Sequence, residues 1–109
     1  MRLKKALAQD FALEASMGPV QHQVIQSLQE AIAAARPLAL LPGRMGERPQ
    51  DVFPHRLVFV DGELELIAED CRGQYLKQFL VCDIREAKDV TRPYRPAYFP
   101  HDIERFFER

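Results

Sequence analysis

From Val20 to Ala35, apolar side chains fall at Val24, Ile25, Leu28, Ala31, Ile32 and Ala35. Those steps of three and four lay one continuous stripe along an α-helix, while Gln21, Gln23, Gln26, Gln29 and Glu30 sit largely off it. Arg36-Pro37 ends the helix, because proline disfavours α geometry in the residue before it. Upstream, Leu3, Leu7 and Phe11 recur every four residues among several alanines and predict a first helix over residues 2–15. Ser16-Met17-Gly18-Pro19 separates the two helices, with Gly18 suited to a C-terminal cap and Pro19 to a first helical turn.

After Pro37 the period changes. Leu38 to Leu41 is short and apolar, a first strand, and Pro42 to Gln50 carries two Pro, two Gly and several charges, a loop. Val52 to Val60 resumes as a strand, with Pro54 confining its early part to an edge or bulge. Asp61-Gly62 then suits a type I′ turn, whose central residues both need positive φ. In the strand that follows, Leu64, Leu66 and Ala68 alternate with Glu63, Glu65, Ile67 and Glu69, which predicts one buried and one mostly wet face. Cys71-Arg72-Gly73 makes a second turn. In the next strand Tyr75, Lys77, Phe79 and Val81 share one face, and Leu76, Gln78, Leu80 and Cys82 the other. A short turn and a fifth strand are expected within Ile84 to Val90. Thr91 to Pro100, with three prolines, reads as extended, and His101 to Glu108 as a short helix.

The chain of 109 residues suffices for one core. Its formal net charge of −1 gives no overall basic field for phosphate backbones, which leaves only a local patch to bind nucleic acid. Cys71 and Cys82 are the only cysteines, without a CxxC or a histidine at ligand spacing, so neither a metal nor another cofactor is expected. With no signal peptide and no apolar run near the roughly 20 residues that cross a bilayer, the expectation is a cytoplasmic protein away from membranes.

A helix followed by five short strands with a long first loop matches the Sm-like or SH3-like barrel. The pattern also resembles the WYL domain of bacterial transcriptional regulators. Leu28-Gln29-Glu30-Ala31-Ile32 stands for that family's helix end, Pro54 precedes the apolar Leu57-Val58-Phe59, and Gly62-Glu63-Leu64-Glu65-Leu66-Ile67-Ala68 stands where the family has Gly-x-Trp-Tyr-Leu-x-Ala. Lys77 to Ile84 matches its closing strand. The resemblance covers roughly residues 24–90. It implies an α+β fold, N-terminal helices packed on a five-stranded, strongly bent antiparallel barrel. The division is residues 1–19 as a helical arm, 20–90 as the WYL-like domain and 91–109 as a Pro- and aromatic-rich tail. It also implies a non-enzymatic regulatory module that senses a nucleotide-type ligand or short single-stranded nucleic acid.

The scaffold positions of that pattern are kept better than the ligand positions. Leu64 and Leu66 take the places of the Trp and Leu, but Glu65 replaces the exposed Tyr. Lys77 keeps a basic residue, whereas Leu80 and Asp83 replace two others. From His55 to Val90, five basic residues face eight acidic ones, a net of −3 that would repel phosphate. The ligand-site candidates are therefore Arg56, Lys77, His55, Glu65 and Asp83, each with a plainer reading as a solvated or capping side chain. The alternative is a degenerate scaffold or dimerisation module without a small ligand.

Other chemistry finds less support. The three histidines are far apart and no serine sits in a nucleophile elbow. Glu63 and Glu65 share a strand face, where alternating carboxylates usually discourage edge pairing. Arg72 beside Cys71 would make a reactive, low-pKa thiol, against a plain structural one. The two N-terminal helices could be taken for a helix-turn-helix, but residues 1–35 hold three basic and three acidic side chains, too few cations to anchor phosphates. Leu76, Leu80 and the five aromatic residues of the tail (Tyr94, Tyr98, Phe99, Phe106, Phe107) either fold back on the barrel or form the interface of a homodimer.

Overall fold

The computed structural model describes residues 19–43 and 48–106. The expected first helix at residues 2–15 lies outside them. The element order is α1 (Pro19–Ala34), β1 (Leu38–Pro42), β2 (Gln50–Val60), β3 (Glu63–Asp70), β4 (Leu76–Leu80), a 3₁₀ turn (Val81–Asp83), β5 (Ile84–Asp89) and α2 (Pro100–Phe106). All strand pairs are antiparallel and the sheet order is β4-β3-β2-β1-β5. Asp61 and Gly62 have φ of 51° and 85°, the left-handed pair that a type I′ turn needs, and Val60 pairs with Glu63 across it.

The two edges, β4 and β5, are joined by the 3₁₀ turn. Laid flat, the outer strands of a five-stranded sheet would be about 19 Å apart. The four steps from Leu80 to Ile84 reach at most about 14 Å. The sheet therefore curls strongly, as expected. No ladder among the described residues joins β4 to β5, so the barrel is open at that seam rather than closed.

Pro54 acts where a proline in a central strand must. β2 pairs with β1 only over Gln50–Val52, so Pro54 faces no partner on that side. On the other side the register slips between Pro54 and Arg56, a bulge with His55 as the extra residue. The slip changes the phase of the strand. Leu57 and Phe59 turn to the inner face with Leu66 and Leu64, while Phe53, Arg56, Val58 and Val60 share the outer face with Glu69, Ile67, Glu65 and Glu63.

The inner face carries the main core, in which Val24, Ile25, Leu28 and Ala31 of α1 pack against Leu38, Leu40, Leu57, Leu64 and Leu66. The outer face is not wet. Ile103 of α2 is buried against Val58, Val60 and Ile67, with Leu76 and Tyr98 packed alongside. This corrects the alternation read for Glu63 to Glu69, because Ile67 and Glu69 on the expected wet face are both buried. The cover comes from residues 94–106, distant in sequence, which strand periodicity cannot reveal. Leu76 thus packs partly against the chain's own tail and is not the open wet-face residue expected. No helix among the described residues is long and apolar enough to cross a membrane.

Candidate functional site

Two polar centres lie on this frame. The first is beneath the tail. Glu69 is fully buried, and its Oε1 lies 3.2 Å from His55 Nε2. Its Oε2 accepts the Ala97 N–H at 2.8 Å and the Tyr94 hydroxyl. Phe53 wedges between the His55 and Tyr94 rings, with centroids 5.2 and 5.8 Å away. A buried carboxylate needs such partners, and among the described residues no buried side-chain polar atom lacks one. Burial first, and the bond to Glu69 next, hold the Tyr94 phenol protonated well above its ordinary range. Nearby, Arg56 Nη1 donates to Glu104 of α2 at 2.6 Å, and Arg92 pairs with Asp51. Glu69, Tyr94, Arg56 and Arg92 fasten the tail to the sheet, while His55 bonds Glu69 within it.

The second centre is a cleft of about 600 Å³ at the end of the sheet where β2 begins and β3 turns into β4. The register places it. Val52 opposite Asp70 continues to a bond from Cys71 N to Asp51 O at 3.0 Å, so Gln50 and Arg48 come alongside the 71–75 turn. Asp70 Oδ1 accepts the N–H groups of Arg72 and Gly73 at 2.8 and 2.9 Å, which fixes the turn. Arg48, Gln50, Arg72 and Tyr75 line the cleft together with Asp51 and Asp70. The Tyr75 ring is 47% exposed and lies against the turn, where a Cβ on Gly73 would come within 2.2 Å of it. Lys77 is not in the lining but is bonded to it, its Nζ donating to Gln50 Oε1 at 2.9 Å and lying 6.0 Å from the Tyr75 ring centroid. In the lining Arg48 and Arg72 stand with two carboxylates that are already engaged, Asp70 bound to backbone N–H groups and Asp51 paired with Arg92.

The structure does not bring the five sequence candidates together. Lys77 pairs with Ala68 on the inner face, whereas Arg56 pairs with Ile67 on the outer one. His55 and Arg56 lie beneath the tail and bond Glu69 and Glu104. Glu65 accepts from Gln78 Nε2 at 2.8 Å; desolvation raises its pKa, the Gln78 bond opposes this, and Glu63 and Asp61 add to the rise. Asp83 ends the 3₁₀ turn, where its carbonyl accepts the Gly43 N–H at 2.8 Å. Of the five, only Lys77 touches a cleft residue, Gln50. Arg48, Arg72 and Tyr75, which line the cleft, were not among the sequence candidates; their one sequence signal is two arginines and a tyrosine at positions that a hairpin register aligns.

Cys71 is also corrected. Burial chiefly, then the charges of Asp51, Asp70 and Glu69, push its thiol up to about 11, and Arg92 only partly opposes them. The adjacent Arg72 does not lower it, and a thiol held protonated is a poor nucleophile.

No protein-family model matches the sequence. No curated protein matches it either. Among solved structures, the fold is similar to the proteasome accessory factor B/C (PafBC) of Arthrobacter aurescens, with a TM-score of 0.63 and 23% identity. That match covers 72% of this chain and 13% of PafBC, so the chain corresponds to a small segment of the larger protein. At this identity the likeness is one of fold.

Proposed function

We propose that this chain is a non-enzymatic, WYL-like regulatory module, linked to transcriptional regulation, whose cleft takes a nucleotide-type ligand or a short single-stranded nucleic acid. The observation that carries the reading is the half-exposed Tyr75 with Arg48 and Arg72 in one cleft, and the Lys77 ammonium 6.0 Å from the Tyr75 ring centroid. A base stacks on an exposed tyrosine, worth about 1–3 kcal/mol per base. Guanidinium forks bind phosphate oxygens through paired, charge-assisted bonds. The cleft volume of about 600 Å³ falls within the range of small-ligand sites. The fold likeness to a segment of an accessory factor fits a regulatory module rather than an enzyme.

Titration of the purified chain with a nucleotide panel and with labelled single-stranded oligomers at low salt tests this. Binding tighter than roughly millimolar, weakened by salt and by Tyr75→Ala or Arg72→Ala, is expected. No binding in that range overturns it. The second reading, a scaffold or dimerisation module without a ligand, draws on Arg56, whose guanidinium is already taken by Glu104.

A further inference from the structure

The two edges of the curled sheet differ. β5 carries Arg85, Glu86, Lys88 and Asp89 in its six residues. Charges along an exposed edge discourage another strand from adding to it. β4, Leu76-Lys77-Gln78-Phe79-Leu80, has one charge, and that ammonium is turned back onto its own strand and onto the start of β2. Lys77 Nζ lies 5.2 Å from the Phe79 ring centroid and is bonded to Gln50. β4 pairs only with β3 among the described residues, which leaves its other backbone edge without a strand.

The order of residues along β4 reads symmetrically about Gln78. An antiparallel copy centred there sets Leu76 opposite Leu80, Lys77 opposite Phe79 and Gln78 opposite itself. Directly opposed residues share a face. Leu76, Gln78 and Leu80 are on the outer face and Lys77 and Phe79 on the inner one, so the match keeps apolar against apolar and cation against ring. Gln78 uses one N–H toward Glu65, which leaves its side-chain oxygen and second N–H for a Gln78 placed opposite. A groove of about 280 Å³ separates Gln78, Phe79 and Leu80 from Leu40, Pro42 and Ile84 across the open seam, so the β4 edge is not closed by the chain itself.

We propose that β4 is the dimer interface of this chain, two copies joining edge to edge across a two-fold axis at Gln78. The partner is a second copy because the strand is complementary to itself in the antiparallel register, as an isologous interface requires. This stands apart from the reading of the cleft, which needs no dimer.

The test uses the full chain. Sedimentation equilibrium from roughly 1 to 100 µM should show a monomer–dimer equilibrium. Gln78→Lys keeps a partner in Glu65 and sets two ammonium groups face to face, and should weaken association at least about tenfold with an unchanged circular dichroism spectrum. Gln78→Cys in a Cys71→Ser/Cys82→Ser background should cross-link as a dimer under mild oxidation, because opposed residues of an antiparallel pair lie within disulfide reach. Arg85→Cys on β5 in the same background should not. A monomer throughout the concentration range overturns the proposal, as does a dimer that Gln78→Lys leaves intact and Gln78→Cys does not trap.

Discussion

The two faces of the sheet are held in different ways. On the inner face, α1 meets β1 to β3 through aliphatic side chains, with Leu28 and Leu66 fully buried. On the outer face, Ile103 supplies a small apolar cluster, but Glu69 and Arg56 fix where the tail lies. Apolar burial is strong and non-directional. A buried carboxylate with its partners adds little net stability, yet it permits one arrangement and penalises the others. The inner face therefore carries the fold, and the outer face sets the position of one segment.

That contrast can be broken from either side. Leu66→Ala removes a fully buried inner side chain and should cost about 2–5 kcal/mol, read as a lower urea midpoint for the whole domain. Glu69→Ala strands the half-buried Tyr94 hydroxyl, at up to roughly 1–3 kcal/mol, and frees the Ala97 N–H, which water can reach at little cost. Its loss should be local, with faster amide exchange over residues 94–103 and little change in α1. Uniform loss across the molecule would show that the two faces are one cooperative unit.

A smaller effect comes with alkaline pH. The Cys71 thiol and the Tyr94 phenol both have folded pKa values raised above their ordinary ones, so the fold prefers their protonated forms. Stability from Cys71 is complete below its ordinary value of 9.0 and is lost as pH rises through about 11. Cys71→Ser should flatten the fall of the urea midpoint over that window; an unchanged slope would contradict the assignment. Smallest is Arg56→Ala, which removes a partly exposed ion pair worth about 0–1 kcal/mol, an effect that salt should reduce further.

The sequence was most legible where contacts are local. The stripe from Val24 to Ala31 faces the core as read, Asp61-Gly62 makes the expected hairpin, and Pro54 stands beside the expected bulge. Longer-range features were hidden. Nothing in Glu63 to Glu69 shows that a segment 25 residues further on places Tyr94 over Glu69. Arg72 beside Cys71 suggested an activated thiol, but burial by the fold, then Asp51 aligned by the β2–β3 register and the adjacent Asp70 and Glu69, raise it instead. The site followed the same rule. Lys77 was found through a family pattern, while Arg48 and Tyr75 join it only because the β2–β3 register aligns the start of one strand with the turn after the other.

The central claim is that the cleft, and not the outer face, receives an anionic ligand. Amide chemical shifts followed by NMR during titration with a short single-stranded oligonucleotide at low salt test it most directly. The account predicts shifts clustered at Gln50, Arg72, Gly73, Tyr75 and Lys77, with Val58, Ile67 and Ile103 unmoved. Shifts centred on His55 and Arg56 beneath the tail, or none up to roughly millimolar ligand, would contradict it.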